Sequence, residues 1–402
     1  MRQNSIYPWW ITILLMMAGF SISALMYVGS YLNTWMVLEE HLDESIVGLS
    51  STALTAVVTG LAMPAGYLIS KFGYRKIMLL GSLICALAVL SLIVLPANAY
   101  LTVFLNGVFG VASVTVVVIG SPGLINQWFV CDRSLPMALM MAASPASGFL
   151  IPPVLTRIVE LWGWRVGYFF LLVGLFLVIV LFLFFLREPS HHAPIASDTL
   201  SRAEEVSRTF SVPSRHQFWI FSCSAALRAM VYMGCVSYST LLAIDRGFTA
   251  EQAAVVLMGY SVGGMSGRLL APLWRRFHIS DMASVRIGTA LCGIGGCLLF
   301  VGRNLLTLTG GAAAIAVGFG LSYSVSPILF SNWYGDSKFA KAYGKFTAIL
   351  QVGYTVGPVV IMGLSFVLNG YEAAFGVLGV VNLLAILLLQ KLPEPIPIDF
   401  VR

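Results

Sequence analysis

The chain has 402 residues, of which 58% are hydrophobic and only 10% charged, with a formal net charge of +6 and a mean hydropathy of +0.90. Soluble domains carry about 25% charged residues, so this composition excludes a water-covered surface, and the outside of the folded chain must face lipid. The positive charge does not imply a nucleic-acid partner, because Lys and Arg gather in the cytoplasmic loops of membrane proteins.

The N-terminus MRQNSIYPWW leads straight into an apolar segment with no small-residue cleavage site, which predicts a retained first helix rather than a signal peptide. A spanning helix needs roughly 20 apolar residues. Runs of that kind fall at 9–36, 46–69, 77–96, 99–126, 135–160, 164–186, 217–244, 251–274, 283–302, 305–332, 341–367 and 372–390, predicting twelve spans. Between the sixth and seventh, REPSHHAPIASDTLSRAEEVSRTFSVPSRH (Arg187 to His216) is rich in Ser, Pro and mixed charge, cannot bury a core, and reads as a linker. The expected architecture is all-α: a six-helix bundle over 1–186, a cytoplasmic linker over 187–216 and a second six-helix bundle over 217–402.

Loop charge sets the expected orientation. The first loop, LEEHLDES, has no basic residue, whereas the next carries Lys71, Arg75 and Lys76. Later even-numbered loops hold Arg133, then Arg187, Arg202, Arg208 and Arg215, then Arg275 and Arg276, then Lys338, Lys341 and Lys345. This bias places both termini in the cytoplasm of a plasma or inner membrane. The six cysteines form no CxxC pair and keep no company with histidine, so neither a metal site nor a disulfide framework is expected.

The chain repeats itself. SPGLINQWF (Ser121–Phe129) ends the fourth span and SPILFSNWY (Ser326–Tyr334) ends the tenth, an offset of 205 residues. At that same offset Phe72 meets Phe277, Gly148 meets Gly353 and Pro153 meets Pro358. Apolar helices resemble one another cheaply, but one offset shared by several separate helix ends argues for two homologous, pseudo-symmetric halves. Transporters are commonly built this way, with alternating access around a site near mid-membrane.

Between the second and third spans, GYLISKFGYRK (Gly66–Lys76) resembles the G-x-L-x-D-r-x-G-x-R-[RK] loop of the major facilitator superfamily. In that loop Gly66 and Gly73 permit a tight cytoplasmic turn while Arg75 and Lys76 tie neighbouring helices together, which makes these four the expected conformational loop. The usual Asp is Ser70 here, so this loop lacks the carboxylate of the family's charge relay. Within the superfamily, SYLNTW, the QWF…PMALMMAASPASG stretch, GWR at Gly163, FW at Phe218 and DRGFTAEQAAVV…GR ending at Arg268 are similar to bacterial monocarboxylate transporters and the oxalate–formate exchangers. The resemblance covers nearly the whole chain and implies the major facilitator fold, no cofactor, and a small organic anion as substrate.

Two arginines lie deep in apolar helices. Arg228 is about ten residues into the seventh span, roughly 15 Å from its cytoplasmic end at 1.5 Å per residue. Arg268 is roughly 10 Å from the basic pair Arg275 and Arg276 by the same rise. A central Arg costs about 2.5–3.5 kcal/mol on insertion scales, and the apolar runs place carboxylates only near their ends, such as Glu160. The expectation is therefore that both arginines face a cavity and that the matching anion is the substrate. A planar guanidinium meets a carboxylate with two parallel hydrogen bonds, which Lys cannot do. The alternative for Arg268 is snorkelling to the interface, and for Arg228 a structural bond to helix-end carbonyls.

Around these cations Tyr27, Tyr31, Tyr232, Tyr323 and Gln351 are candidate hydrogen-bond donors to the anion, each weighed against plain packing. The resemblance implies that Arg268 is the carboxylate-binding arginine of the eighth helix and that Tyr323 stands at the tenth-helix tyrosine; Tyr27 and Tyr31 match by type only. Two departures matter. Proton-coupled relatives pair that arginine with an acid one turn earlier, here Gly264, and some carry a first-helix lysine that this chain lacks. The exchangers have an eleventh-helix lysine where this chain has Leu350, beside Gln351. Any coupled proton would then ride on the substrate's own carboxyl.

The expected activity is a secondary carrier, read as a monomer in the lipid bilayer, for a monocarboxylate such as lactate or pyruvate. The alternatives are an oxalate–formate-like exchanger and a transport-inactive sensor. No catalytic set of acids, histidines or metal ligands lies at membrane depth, so an enzyme is not expected.

Overall fold

The computed structural model describes residues 7–41, 45–129, 133–188, 213–368, 370–390 and 392. These form helices α1 (Tyr7–Glu39), α2 (Ser45–Phe72), α3 (Tyr74–Val94), α4 (Ala99–Ala112), α5 (Gly120–Trp128), α6 (Ser134–Phe185), α7 (Arg215–Asp245), α8 (Ala250–Arg276), α9 (Asp281–Val301), α10 (Leu305–Leu368) and α11 (Tyr371–Leu389). Among the described residues there is no strand, and ten helical segments are long and apolar enough to cross a membrane. Two further spans complete the expected twelve. The 52 residues of α6 bend at Gly163 (φ 79°, ψ 170°), which makes two limbs of one continuous element. The other is α8, whose glycines, serines and Arg268 dilute its apolar character below that of its neighbours. The 64 residues of α10 likewise bend at Gly335 (φ 68°, ψ 164°). Both bends sit at glycine because L side chains avoid positive φ.

The fourth predicted span is not one α-helix. Residues Ser113–Val118 form a π-helical turn between α4 and α5, ending at Ile119 with φ −113°. Helix starts carry side-chain caps for amide groups that have no partner inside the helix. Asn98 accepts from the amides of Tyr100 and Leu101, and Ser214 with Gln217 and Thr249 with Gln252 form reciprocal capping boxes on α7 and α8. At the other end of α9, Arg246 donates to the carbonyls of Gly302 and, at 2.9 Å, Phe300.

The chain divides into two compact units, Met1–His191 with Asp336–Ala348, and His192–Gly335 with Ile349–Arg402. The stretch 336–348 belongs with the first unit because α2 and α10 touch there backbone to backbone. A β-carbon at Gly344 would lie 2.7 Å from the Ala62 carbonyl and 3.1 Å from Gly66 Cα, and one at Gly66 would overlap the Ala340 carbonyl. Most of the proposed linker, 189–212, lies outside the described residues. The internal repeat has a backbone echo: α2 turns into α3 at Gly73 (φ 90°) and α8 into α9 at His278 (φ 58°), the 205-residue offset again.

In the first of these turns the missing Asp is answered from elsewhere. Ser70 donates to its own helix, to the Tyr67 carbonyl at 2.7 Å. Glu188, just beyond α6, accepts from the Arg75 amide at 2.8 Å and so caps the start of α3, while Arg75 Nη2 donates to the Leu183 carbonyl at 2.7 Å. A carboxylate suits this place because helix N-termini are electropositive. Glu188→Ala is expected to cost about 1 kcal/mol and lower the unfolding midpoint by about 1–3 °C; an unchanged midpoint would show the cap carries no stability.

Candidate functional site

Within the second unit, three helices bring a chain of aromatic rings up to one buried cation. Arg268 of α8 is 4% exposed, and its Nη1 donates to the Gly264 carbonyl one turn earlier at 2.9 Å. Its guanidinium carbon lies 5.8 Å from the centre of the Tyr323 ring on α10, a cation–π distance. Tyr323 stacks on Phe319 with centroids 5.5 Å apart, and Phe319 stacks on Tyr232 of α7 at 4.1 Å. Tyr232 in turn meets Tyr260 of α8 at 4.8 Å and Tyr354 of α10 at 6.0 Å.

Gly264 holds this arrangement open. A β-carbon there would stand 3.5 Å from Arg268 Nη1 and 3.7 Å from the Tyr232 hydroxyl, so the guanidinium and the phenol converge on the volume a side chain would fill. The neighbouring glycines have a different task. Gly259, Gly263 and Gly267 run down one side of α8 and pack on Thr309, Ala313 and Val317 of α10, each pair four residues from the next. A β-carbon at Gly263 would come within 2.6 Å of the Ala313 carbonyl. This contact sets the height of Arg268 against Tyr323.

Arg228 has other surroundings. It is 2% exposed, and its Nη1 donates to Thr289 Oγ1 of α9 at 2.8 Å and to Ser224 Oγ at 3.3 Å. Thr289 passes its own hydrogen to the Val285 carbonyl at 2.7 Å. Arg228 therefore ties α7 to α9 through neutral hydroxyls, whereas Tyr232, one turn on, faces the ring cluster. Gln351 is half-buried on α10, one turn before Tyr354. Tyr27 and Tyr31 fall on α1, but their side chains lie outside the described residues. In the first unit, Gly66 and Gly73 sit at the close approach and the turn already described, Arg75 bonds the end of α6, and Lys76 is exposed.

Of the residues singled out in the sequence, the structure brings Arg268, Tyr323 and Tyr232 into one cluster, leaves Gln351 three residues before Tyr354 on α10, and turns Arg228 to another helix. Tyr260, Phe319 and Tyr354 were missed. Helical spacing was the available signal, since Tyr260 precedes Arg268 by eight residues, Phe319 precedes Tyr323 by four and Tyr354 follows Gln351 by three.

Comparison with known proteins adds kinship. The family model described as Major Facilitator Superfamily matches residues 9–284 and 282–399. Human "Monocarboxylate transporter 11" is 26% identical over 406 residues, covering 94% of this chain and 82% of that protein. "Uncharacterized MFS-type transporter YcxA" of Bacillus subtilis (strain 168) is 24% identical over 273 residues, 63% of this chain and 62% of that one. Among solved structures, the proton:xylose symporter XylE superposes with a TM-score of 0.71 at 16% identity, covering 97% of each chain. The human organic anion transporter MFSD10 gives 0.69 at 17% identity, covering 97% of this chain and 100% of that one. At these identities the superpositions speak for the fold.

Proposed function

The chain belongs to the Major Facilitator Superfamily, a family of multi-pass membrane transporters, and on that premise we propose that it carries a small monocarboxylate by alternating access. The observation that carries the reading is the buried Arg268 guanidinium, stacked over Tyr323 and converging with the Tyr232 hydroxyl on the space above Gly264. A planar fork of donors beside a phenol matches the geometry of one carboxylate. The aromatic chain behind it gives a low-polarity wall that strengthens the charge–charge attraction and favours the short apolar tail of a monocarboxylate over a second carboxylate. The name of the human relative supports the same class.

In this reading Arg268 is the carboxylate clamp, and Tyr323 and Tyr232 orient it. Tyr260, Phe319 and Tyr354 are the wall, and Gln351 a donor at its edge. Arg228 adds buried positive charge while its bonds to Ser224 and Thr289 hold α7 against α9. Tyr27 and Tyr31 remain candidates on α1. A coupled proton travels on the substrate's carboxyl, and both termini lie in the cytoplasm. Exchange of oxalate for formate is the second reading; it needs a two-cation site, for which Arg228 would have to leave its hydroxyl partners.

Thermal-shift titration of purified protein with lactate, pyruvate, formate and oxalate tests the class. Stabilisation should grow as RT ln(1 + [L]/Kd) for lactate or pyruvate and be weaker for oxalate. Stabilisation by none of the four, or by oxalate first, would overturn the monocarboxylate reading.

A further inference from the structure

The first unit holds a polar pocket of a different kind. Asn33 of α1 is 1% exposed and Asn106 of α4 is 3% exposed, and they face one another inside the apolar bundle. Asn33 Nδ2 donates to Asn106 Oδ1 at 3.2 Å, and Asn106 Nδ2 donates to Asn33 Oδ1 at 3.5 Å and to the Thr102 carbonyl at 2.9 Å. The buried Tyr168 of α6 donates to Asn33 Oδ1 at 2.8 Å. Both asparagines border a pocket of about 90 Å³, lined also by Gly29 of α1 and Ser50, Leu54 and Thr55 of α2. Ser50 is 1% exposed, and its hydroxyl has no hydrogen-bond partner among the described residues.

The hydrogen-bond inventory says what this pocket can still take. Asn33 Oδ1 already accepts two hydrogens and Asn106 Nδ2 already gives two. That leaves one hydrogen on Asn33 Nδ2, one lone pair on Asn106 Oδ1, and a Ser50 hydroxyl able to donate or accept. A lone buried hydroxyl without a partner is costly, so a ligand that satisfies it gains what the free protein lacks. None of the lining side chains is charged. An ion entering would lose its hydration with nothing of opposite sign to replace it. The volume also exceeds the roughly 10–15 Å³ that one water needs several times over.

We propose that this α1–α2–α4 pocket binds a small uncharged molecule carrying a hydroxyl or primary amide, a site separate in chemistry from the cationic cluster around Arg268. The donor and acceptor of one such group meet Asn106 Oδ1 and Asn33 Nδ2, the Ser50 hydroxyl takes a third bond, and Leu54 lies along the carbon skeleton.

Lactamide and propane-1,2-diol, titrated into the purified full-length protein while its unfolding midpoint is followed, test the site. Two variants accompany the wild type. Ser50→Ala removes only the unpartnered hydroxyl, and Gly29→Ala adds a methyl whose nearest described neighbour is Asn106 Oδ1 at 3.7 Å, ordinary contact that sets a carbon against the acceptor the ligand would use. Both should fold, with unliganded midpoints at or above that of the wild type. The expected result is a saturable rise for the wild type, weakened about fivefold or more in Ser50→Ala and lost in Gly29→Ala. No saturable rise in the wild type, or the same affinity in all three proteins, overturns the proposal. A midpoint raised in Ser50→Ala with no response to either probe would assign the pocket to water alone and overturn it as well.

Discussion

Replacing Arg268 by Gln is expected to lower carboxylate uptake into proteoliposomes by about 100-fold or more, and Lys is expected to do little better. Truncating one member of a buried, hydrogen-bonded charge pair costs about 2–5 kcal/mol, much of it the stranded partner, and about 1.4 kcal/mol is a factor of ten. Gln removes the charge outright. Lys keeps the charge but replaces a flat fork with a point, so it loses the paired hydrogen bonds and the contact with the Tyr323 ring, 5.8 Å from the guanidinium carbon. The folded state should not suffer in step. A buried guanidinium is itself costly in a membrane, and Gln still reaches toward the Gly264 carbonyl that Arg268 now bonds. Unfolding midpoints close to the wild-type value, together with lost uptake, would separate a binding role from a structural one. Wild-type uptake in both variants would reject Arg268 as the clamp.

How much of this was legible beforehand depends on what a hydrophobic run encodes. Length and apolarity locate helices along the chain, and the twelve runs fell on α1 to α11 with ends shifted by a few residues. The turn at Gly73 was visible because a glycine between two helices marks positive φ. Rotation about each helix axis was not visible. A helix bathed in lipid and protein has no water-facing side, so nothing in its composition says which way a given residue points. Arg228 shows the consequence: its depth was clear, but its facing toward Thr289 depends on how α7 packs against α9. Glu188 was hidden for another reason, since 113 residues separate it from the Arg75 amide that it caps. The π-helical turn at Ser113–Val118 leaves no periodic trace at all, being a local change in backbone hydrogen bonding within an unbroken apolar run.

The largest structural effect should come from Gly267→Val, which is expected to abolish the recovery of folded, monodisperse protein. In lipid, helices associate by close contact of small residues rather than by expulsion of water, and the α8–α10 seam is built on that contact. A β-carbon at Gly267 would stand 2.7 Å from Val317 Cα and 2.9 Å from its carbonyl carbon, and would overlap the Val317 oxygen. Those are backbone atoms of a neighbouring helix, so no rotamer change relieves them and α8 must move bodily. The seam is reciprocal, since a β-carbon at Gly320 of α10 would sit 2.8 Å from the Gly264 carbonyl and 3.1 Å from the Arg268 amide. Overpacking of this kind costs about 1–3 kcal/mol for a single added methyl and more for a branched side chain. Gly267→Ala is therefore the graded test: reduced midpoint, and reduced uptake because Arg268 is displaced along with its neighbour. Gly310→Ala is the control, lying on α10 beside the seam with nothing within 4 Å of its added carbon. It should be neutral or slightly stabilising, because Ala outranks Gly in a helix by about 1 kcal/mol. If Gly267→Ala and Gly310→Ala behave alike in both stability and uptake, the glycine ladder does not set the position of the arginine.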